Sequence, residues 1–228
     1  MNTKFHESRK TKNAMGKPVH YLSLAALAVI TLGSCGGGDK DKKDDKKEEG
    51  PKAVTYTVDA AGSELQWHGE KNAEYGHTGT VGIKSGELTM EGDLLKAGKI
   101  EVDLNTLAEP ENSDTESAGK LIGHLKDSSF FNVAAFPTAA FSVTSAEKQE
   151  DGSYGVTGDI TVRGVTKSIS FPATITVEGK NLTANADFSI NRVDFGVSYG
   201  SVAAGAKPEE SISDTVTFKA LLKASAAK

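Results

Sequence analysis

The chain has 228 residues but a single cysteine, Cys35, and a single tryptophan, Trp67. One thiol cannot cross-link a chain to itself, so a disulfide scaffold is excluded and any domain must rest on burial and backbone hydrogen bonding. No two histidines fall at i,i+4 spacing and no H-E-x-x-H run occurs, so a recognisable metal signature is missing. Long apolar runs are also missing. The longest, residues 21 to 32, falls short of the roughly 20 residues that a membrane-crossing helix needs. No basic run interleaved with aromatics is present, and the net charge is −5. Five of the basic groups (Lys4, Arg9, Lys10, Lys12, Lys17) sit in the first 34 residues against only Glu7, so the remainder is more acidic still. Such a chain repels phosphate backbones, which argues against a nucleic-acid partner.

What is present at the N-terminus is an address. Residues 9 to 20 are polar and basic, residues 21 to 32 (YLSLAALAVITL) are apolar, and small residues follow. This is the tripartite layout of a secretory signal. Its ending, Leu32-Gly33-Ser34-Cys35, resembles the bacterial lipobox, which implies cleavage before Cys35 and acylation of its thiol. The expected mature protein is therefore a lipoprotein anchored by acyl chains, palmitate among them, to the outer membrane of the bacterial envelope, on its periplasmic or outer face. Residues 36 to 50 (GGGDKDKKDDKKEEG) hold no apolar side chain and cannot offset the entropy of ordering. They read as a flexible tether. The expected division is a signal over residues 1 to 34, a lipidated cysteine and tether over 35 to 52, and one domain over 53 to 228.

From Val54 onward the apolar period is two, the mark of strands with one buried face. Ile100, Val102 and Leu104 alternate with Glu101, Asp103 and Asn105; Val216, Phe218, Ala220 and Leu222 alternate with Thr217, Lys219 and Leu221. Turn signals separate the runs at Ala61-Gly62-Ser63, Ser85-Gly86, Glu91-Gly92-Asp93, Asp151-Gly152, Arg163-Gly164 and Glu178-Gly179-Lys180. Strands are expected near 54–58, 63–70, 76–90 with a break, 98–106, 138–148, 153–162, 166–177, 181–191 and 213–223. With hardly any helical pattern between them, the sheet should be antiparallel, as a closed barrel or a sandwich. One helix is expected, capped by Ser113 or Asp114 and running to about Asp127, with Leu121, Ile122 and Leu125 on one face. Inward-facing positions include Val81, Val102, Ala140, Val143, Val156, Val162, Val177 and Ala186, many of them small.

Gly196-Val197-Ser198-Tyr199-Gly200 spells the G-x-S-x-G pattern of a hydrolase elbow, but that motif needs a strand turning into a helix. Gly205 and Pro208 follow it, and His124 is the last histidine. A glycine-rich loop is the better reading. No nucleophile, base and orienting group stand at a familiar spacing, so catalytic residues are not expected.

Five blocks give the chain a family likeness. They are Trp67 with His77-Thr78-Gly79; residues 124 to 133 (HLKDSSFFNV); residues 136 to 141 (FPTAAF); residues 158 to 167 (GDITVRGVTK); and residues 190 to 197 (INRVDFGV). In this order they resemble the YceI-like family over about residues 54 to 224. The resemblance implies an eight-stranded, lipocalin-like antiparallel barrel with one short inserted helix, secreted or periplasmic, that binds polyisoprenoids or similar amphiphiles. It implies no required cofactor; the ligand would be a polyisoprenoid, an isoprenoid quinone or a fatty amide. Candidates to line the cavity or its mouth are Trp67, Leu121, Leu125, Phe131, Phe136, Phe141, Phe188, Ile190 and Phe195. His77, Arg192 and Asp194 are polar residues within the blocks that either hold a head group or satisfy loop backbone. Two other readings stay open: an envelope interaction module with a filled interior, and an enzyme acting through His77 or His124.

Overall fold

The structure, a computed structural model, describes residues 50–71, 75–110 and 115–227. The signal, Cys35 and most of the tether lie outside the described residues, as do Ser113 and Asp114. Within the compact unit Glu48–Lys228 the strands are β1 (Ala53–Val58), β2 (Glu64–Lys71), β3 (Tyr75–Glu91) and β4 (Leu94–Ala108). After the helix α1 (Glu116–Lys126) come β5 (Thr138–Lys148), β6 (Tyr154–Val162), β7 (Val165–Glu178), β8 (Asn181–Asn191) and β9 (Ile212–Ala226).

All pairings are antiparallel, and β3 joins β4 to close the sheet on itself. β1 and β2 both lie between β3 and β9, with β1 against Glu87–Glu91 of β3 and β2 against Tyr75–Val81. They form one lane broken at Asp59–Ser63, so nine strands make an eight-lane barrel. The break has a local cause: Asp59 Oδ1 accepts from the backbone N–H groups of Ala61 and Gly62, an Asx turn that bends the lane.

The hairpin turns fall at Gly92, Gly152, Arg163-Gly164 and Gly179, where the backbone has positive φ. Ser85-Gly86 does not turn the chain. Instead β3 continues through it with a register shift between Ile83 and Ser85, a bulge that bends the long strand around the barrel. The helix begins one or two residues later than the caps that the sequence pattern offers, Asp114 or Ser113. Thr115 is the N-cap, its hydroxyl accepting from the N–H of Ala118 at 3.1 Å.

The core is the barrel interior. Its end near β1 is filled by Tyr56, Val58, Met90, Tyr154, Leu182 and Ala224, all buried, and the Tyr154 hydroxyl donates to the Asp93 carbonyl at 2.6 Å. The opposite end is covered by α1, the segment 127–137 and the loop 192–211. Lys126 Nζ donates to the Asn105 carbonyl at 2.7 Å, which ties the helix to β4. Val177, expected to face inward, is 41% exposed, because it lies at the rim where β7 turns into β8.

Candidate functional site

Two neighbouring rows of inward side chains define the interior. In the first, Phe188 of β8 stands opposite Phe218 of β9, and Phe218 stands opposite Trp67 of β2. Phe171 of β7 and Phe141 of β5 extend this row, with successive ring centroids 5.4, 5.0 and 5.1 Å apart from Phe141 to Phe218. Aromatic pairs at these separations add about 0.5–1.5 kcal/mol beyond area burial. Two glycines make room for the belt. Gly79 pairs with Trp67 in register and a side chain there would run into the indole; Gly158 likewise lies beneath the Phe141 ring.

The second row is made of alanines. Ala173 of β7, Ala186 of β8 and Ala220 of β9 stand side by side in register. Small side chains beside large ones leave space. The result is a cavity of about 240 Å³ running along the barrel. Among the described residues that line it, only Asn185, Arg192 and Ser213 carry polar side chains. Many inward residues, Phe188, Phe218 and Leu222 among them, are half-buried although they point into the barrel, because they face free volume instead of packed neighbours.

Of the residues singled out in the sequence, Trp67, Leu125, Phe131, Phe141, Phe188, Ile190 and Arg192 line this cavity. The others lie elsewhere. Leu121 packs against the core from α1 without reaching the cavity. Phe136 lies over Gly164 at the β6–β7 turn. Phe195, 2% exposed, packs with Val162 and Ile190, and Asp194 is exposed. His77 does not reach the cavity: its Nδ1 is 2.7 Å from Oε1 of Glu109, a carboxylate that is nearly buried. Its ring meets Tyr75 edge-on. Phe171, Phe218, Phe130 and the alanine row were not singled out as site residues, although the two-residue period of β7 and β9 puts Phe171, Ala173, Phe218 and Ala220 on the inner face.

Arg192 lies at the helix-end rim and is 3% exposed. Its five N–H donors are all engaged. Nε donates to the Ser213 carbonyl, Nη1 to those of Val197 and Tyr199, and Nη2 to that of Ile212 and, at 3.3 Å, to Asp214. Burial holds its pKa below the ordinary value, and the nearby Asp214 carboxylate acts in the opposite sense. Asp214 also accepts from Ser201 Oγ at 3.0 Å, and Ser201 is fully buried. The guanidinium therefore organises the loop 192–211 and has no donor left for another group. A second arginine, Arg163, donates to the carbonyls of Phe130 and Gly196, joining the loop to the segment after α1.

Ser198 of the G-x-S-x-G run is exposed and lies between short 3-10 turns, Arg192–Phe195 and Val202–Ala204. No strand-to-helix elbow surrounds it. His68 sits beside Thr78 and Glu70 on the outer face, and His124 beside Tyr199. The histidines of the barrel are thus dispersed, each with its own partner.

Comparison with known proteins fixes the lineage. Residues 56–224 match the YceI-like domain. The chain belongs to this family. A UPF0312 protein of Pseudomonas putida is 31% identical over 156 residues, 64% of this chain and 77% of the relative. One from Shewanella denitrificans is 30% identical over 135 residues, 57% of this chain and 66% of the relative. Among solved structures, BcnA of Burkholderia cenocepacia superposes with a TM-score of 0.61 at 18% identity, covering 74% of this chain and 99% of that one. A polyisoprenoid-binding domain from Saccharophagus degradans gives 0.56 at 16% identity, covering 76% and 99%. At such identities these two likenesses establish the fold that the YceI-like barrel shares with them.

Proposed function

We propose that the YceI-like barrel holds the apolar chain of one polyisoprenoid or similar long-chain amphiphile, and acts as a carrier or store without transforming it. The observation that carries this reading is the long cavity with an apolar lining and half-buried aromatic walls. Each methylene moved from water into such a lining contributes about 0.8 kcal/mol, so a dozen buried carbons give a large gross affinity, reduced by ordering costs. A slender branched chain suits a barrel of this size, whose inside is either filled by side chains or takes one ligand. The solved relative from Saccharophagus degradans is described as polyisoprenoid-binding, which supports the same ligand class here. Catalysis finds little support in the lining: Arg192 is its one ionisable residue among those described, and all its donors are spent.

Under the same proposal the chain is processed before Cys35 and anchored by acyl chains to the bacterial outer membrane. The tether then confines the carrier: by a random-coil estimate about 15 residues span roughly 20 Å r.m.s.. Such a protein loads and presents lipid near its own membrane.

The test is to express Glu48–Lys228, purify it under native conditions, extract it with organic solvent and identify bound species by mass spectrometry. A long-chain isoprenoid, quinone or fatty amide at about one per protein is the expected result. An empty extract, together with no uptake of added polyprenol, overturns the reading.

A further inference from the structure

The wall of the cavity is not equally strong all round. The β7–β8 ladder runs from Glu178–Asn181 only as far as Ala173–Ala186, although β7 starts at Val165 and β8 continues to Asn191. Pro172, which has no N–H to donate, stands where the ladder stops. Beyond that point β7 stays paired with β6 as far as Val165, and β8 stays paired with β9 as far as Asn191. The sheet is therefore slit between the first half of β7 and the second half of β8. A comparable gap lies between β4 and β5, whose pairing stops at Lys99–Ser142. That gap is tied again by Lys148 Nζ on Asp93 at 2.7 Å and by the Tyr154 hydroxyl on the Asp93 carbonyl.

Apolar side chains fill the β7–β8 slit. Phe171 stacks on Phe188 at its upper end, and Phe195, Val162 and Ile190 pack with Ile160 and Ile169 below. Phe195 is brought there by the 3-10 turn after β8. At the foot, one hydrogen bond from Arg163 to the Gly196 carbonyl, 3.2 Å long, crosses from the β6–β7 turn.

Opening either end of the barrel asks for more. At the helix end the five donors of Arg192 hold the loop down, and at the other end the side chains are tightly buried. Parting the slit breaks no paired ladder. Apart from the Arg163–Gly196 hydrogen bond at the foot, the contacts that it disrupts are apolar ones, which an incoming hydrocarbon replaces with its own. We infer that this slit, plugged by Phe195, is the portal through which a ligand's chain slides sideways into the cavity and out of it. A lateral portal suits a long chain, which then needs no end-first threading. The inference rests on the proposed lipid binding.

The experiment locks the slit. Continuing the Ala173–Ala186 register places Ser170 opposite Ser189, both on the exposed outer face. The pair Ser170→Cys with Ser189→Cys, in Glu48–Lys228, introduces the only two thiols, since Cys35 lies outside that unit. A control pair, Thr176→Cys with Thr183→Cys, locks residues already paired in the β7–β8 ladder. Uptake of dansyl-labelled geranylgeraniol is followed by energy transfer from Trp67, before and after closing each pair with a short bis-maleimide or disulfide. The expected result is at least a tenfold slower uptake for the slit lock, recovered when its disulfide is reduced, and little change for the control, as for a gated step. Equal rates with and without the slit lock, or equal slowing by both locks, overturn the portal. Failure of the unlocked proteins to bind the probe at equilibrium overturns the lipid-binding reading itself, and the portal with it.

Discussion

Replacing Ala186 by Phe asks directly whether the interior is hollow. Ala186 lies in the middle of the alanine row, between Ala173 and Ala220, and lines the cavity. A phenyl ring there projects into free volume and displaces about three to four methylenes of a bound chain. At about 0.8 kcal/mol each, the loss is roughly 3 kcal/mol. That is on the order of a 100-fold rise in Kd. Folding responds in the opposite direction, because the new ring buries its own surface against Phe188 and Phe218 without forcing them aside. Affinity for a labelled polyprenol and thermal unfolding of the unliganded protein are the two readouts. Weakened binding with a Tm unchanged or raised is expected. In a filled interior the same substitution overpacks the core at about 1–3 kcal/mol, and at roughly 2–4 °C per kcal/mol for a domain of this size the Tm falls. A Tm lowered by about 5 °C or more with unaltered affinity refutes the reasoning.

Other positions give independent checks. Gly158→Ala sets a methyl group against the Phe141 ring and the Ser142 carbonyl; a loss of about 1–3 kcal/mol in urea unfolding is expected, whereas Gly119→Ala on the open face of α1 is neutral or slightly stabilising. Arg192→Met removes the guanidinium donor from Asp214 and from four carbonyls, two in the loop and two at the start of β9. A cost of about 3–5 kcal/mol follows, and limited proteolysis should cut between residues 196 and 211. The acid limb of stability has a defined sign. Donors from Lys148, Lys84, Asn105, Ser129 and Ser153 lower the pKa values of Asp93, Glu101, Asp103, Asp127 and Asp151, respectively. Their contribution is complete above the unfolded carboxylate range near pH 4 and is lost as pH falls through the lower folded values. The urea midpoint should therefore drop between about pH 5 and pH 2; a midpoint flat over that range contradicts the assignment. Finally, labelled palmitate should enter the full-length protein in a bacterial host and fail to enter the Cys35→Ser variant.

The barrel was legible because its strands alternate so regularly. Ile100, Val102 and Leu104 or Val216, Phe218 and Ala220 each declare one inner face, and Gly92, Gly152, Gly164 and Gly179 mark the turns that the backbone uses with positive φ. The exceptions have physical causes. Ser85-Gly86 carries turn chemistry, yet the β4 partner continues past it, so the residues are absorbed as a bulge. The site was less legible than the fold. His77, Arg192 and Asp194 are polar residues inside family blocks, and nothing local to them says that Arg192 spends every donor on its own loop and the start of β9. Nor does local sequence say that His77 pairs with Glu109, 32 residues away.

The sequence by itself determined which side chains point inward, because alternation is a property of single strands. It also determined where the chain turns and to which family it belongs. Whether those inward residues meet or leave a gap depended on register between strands far apart in the chain. Only the pairing of β7 with β8, β8 with β9 and β9 with β2 set Ala173, Ala186 and Ala220 in one row beside Phe171, Phe188, Phe218 and Trp67, and free volume in a barrel arises from how such rows align across strands.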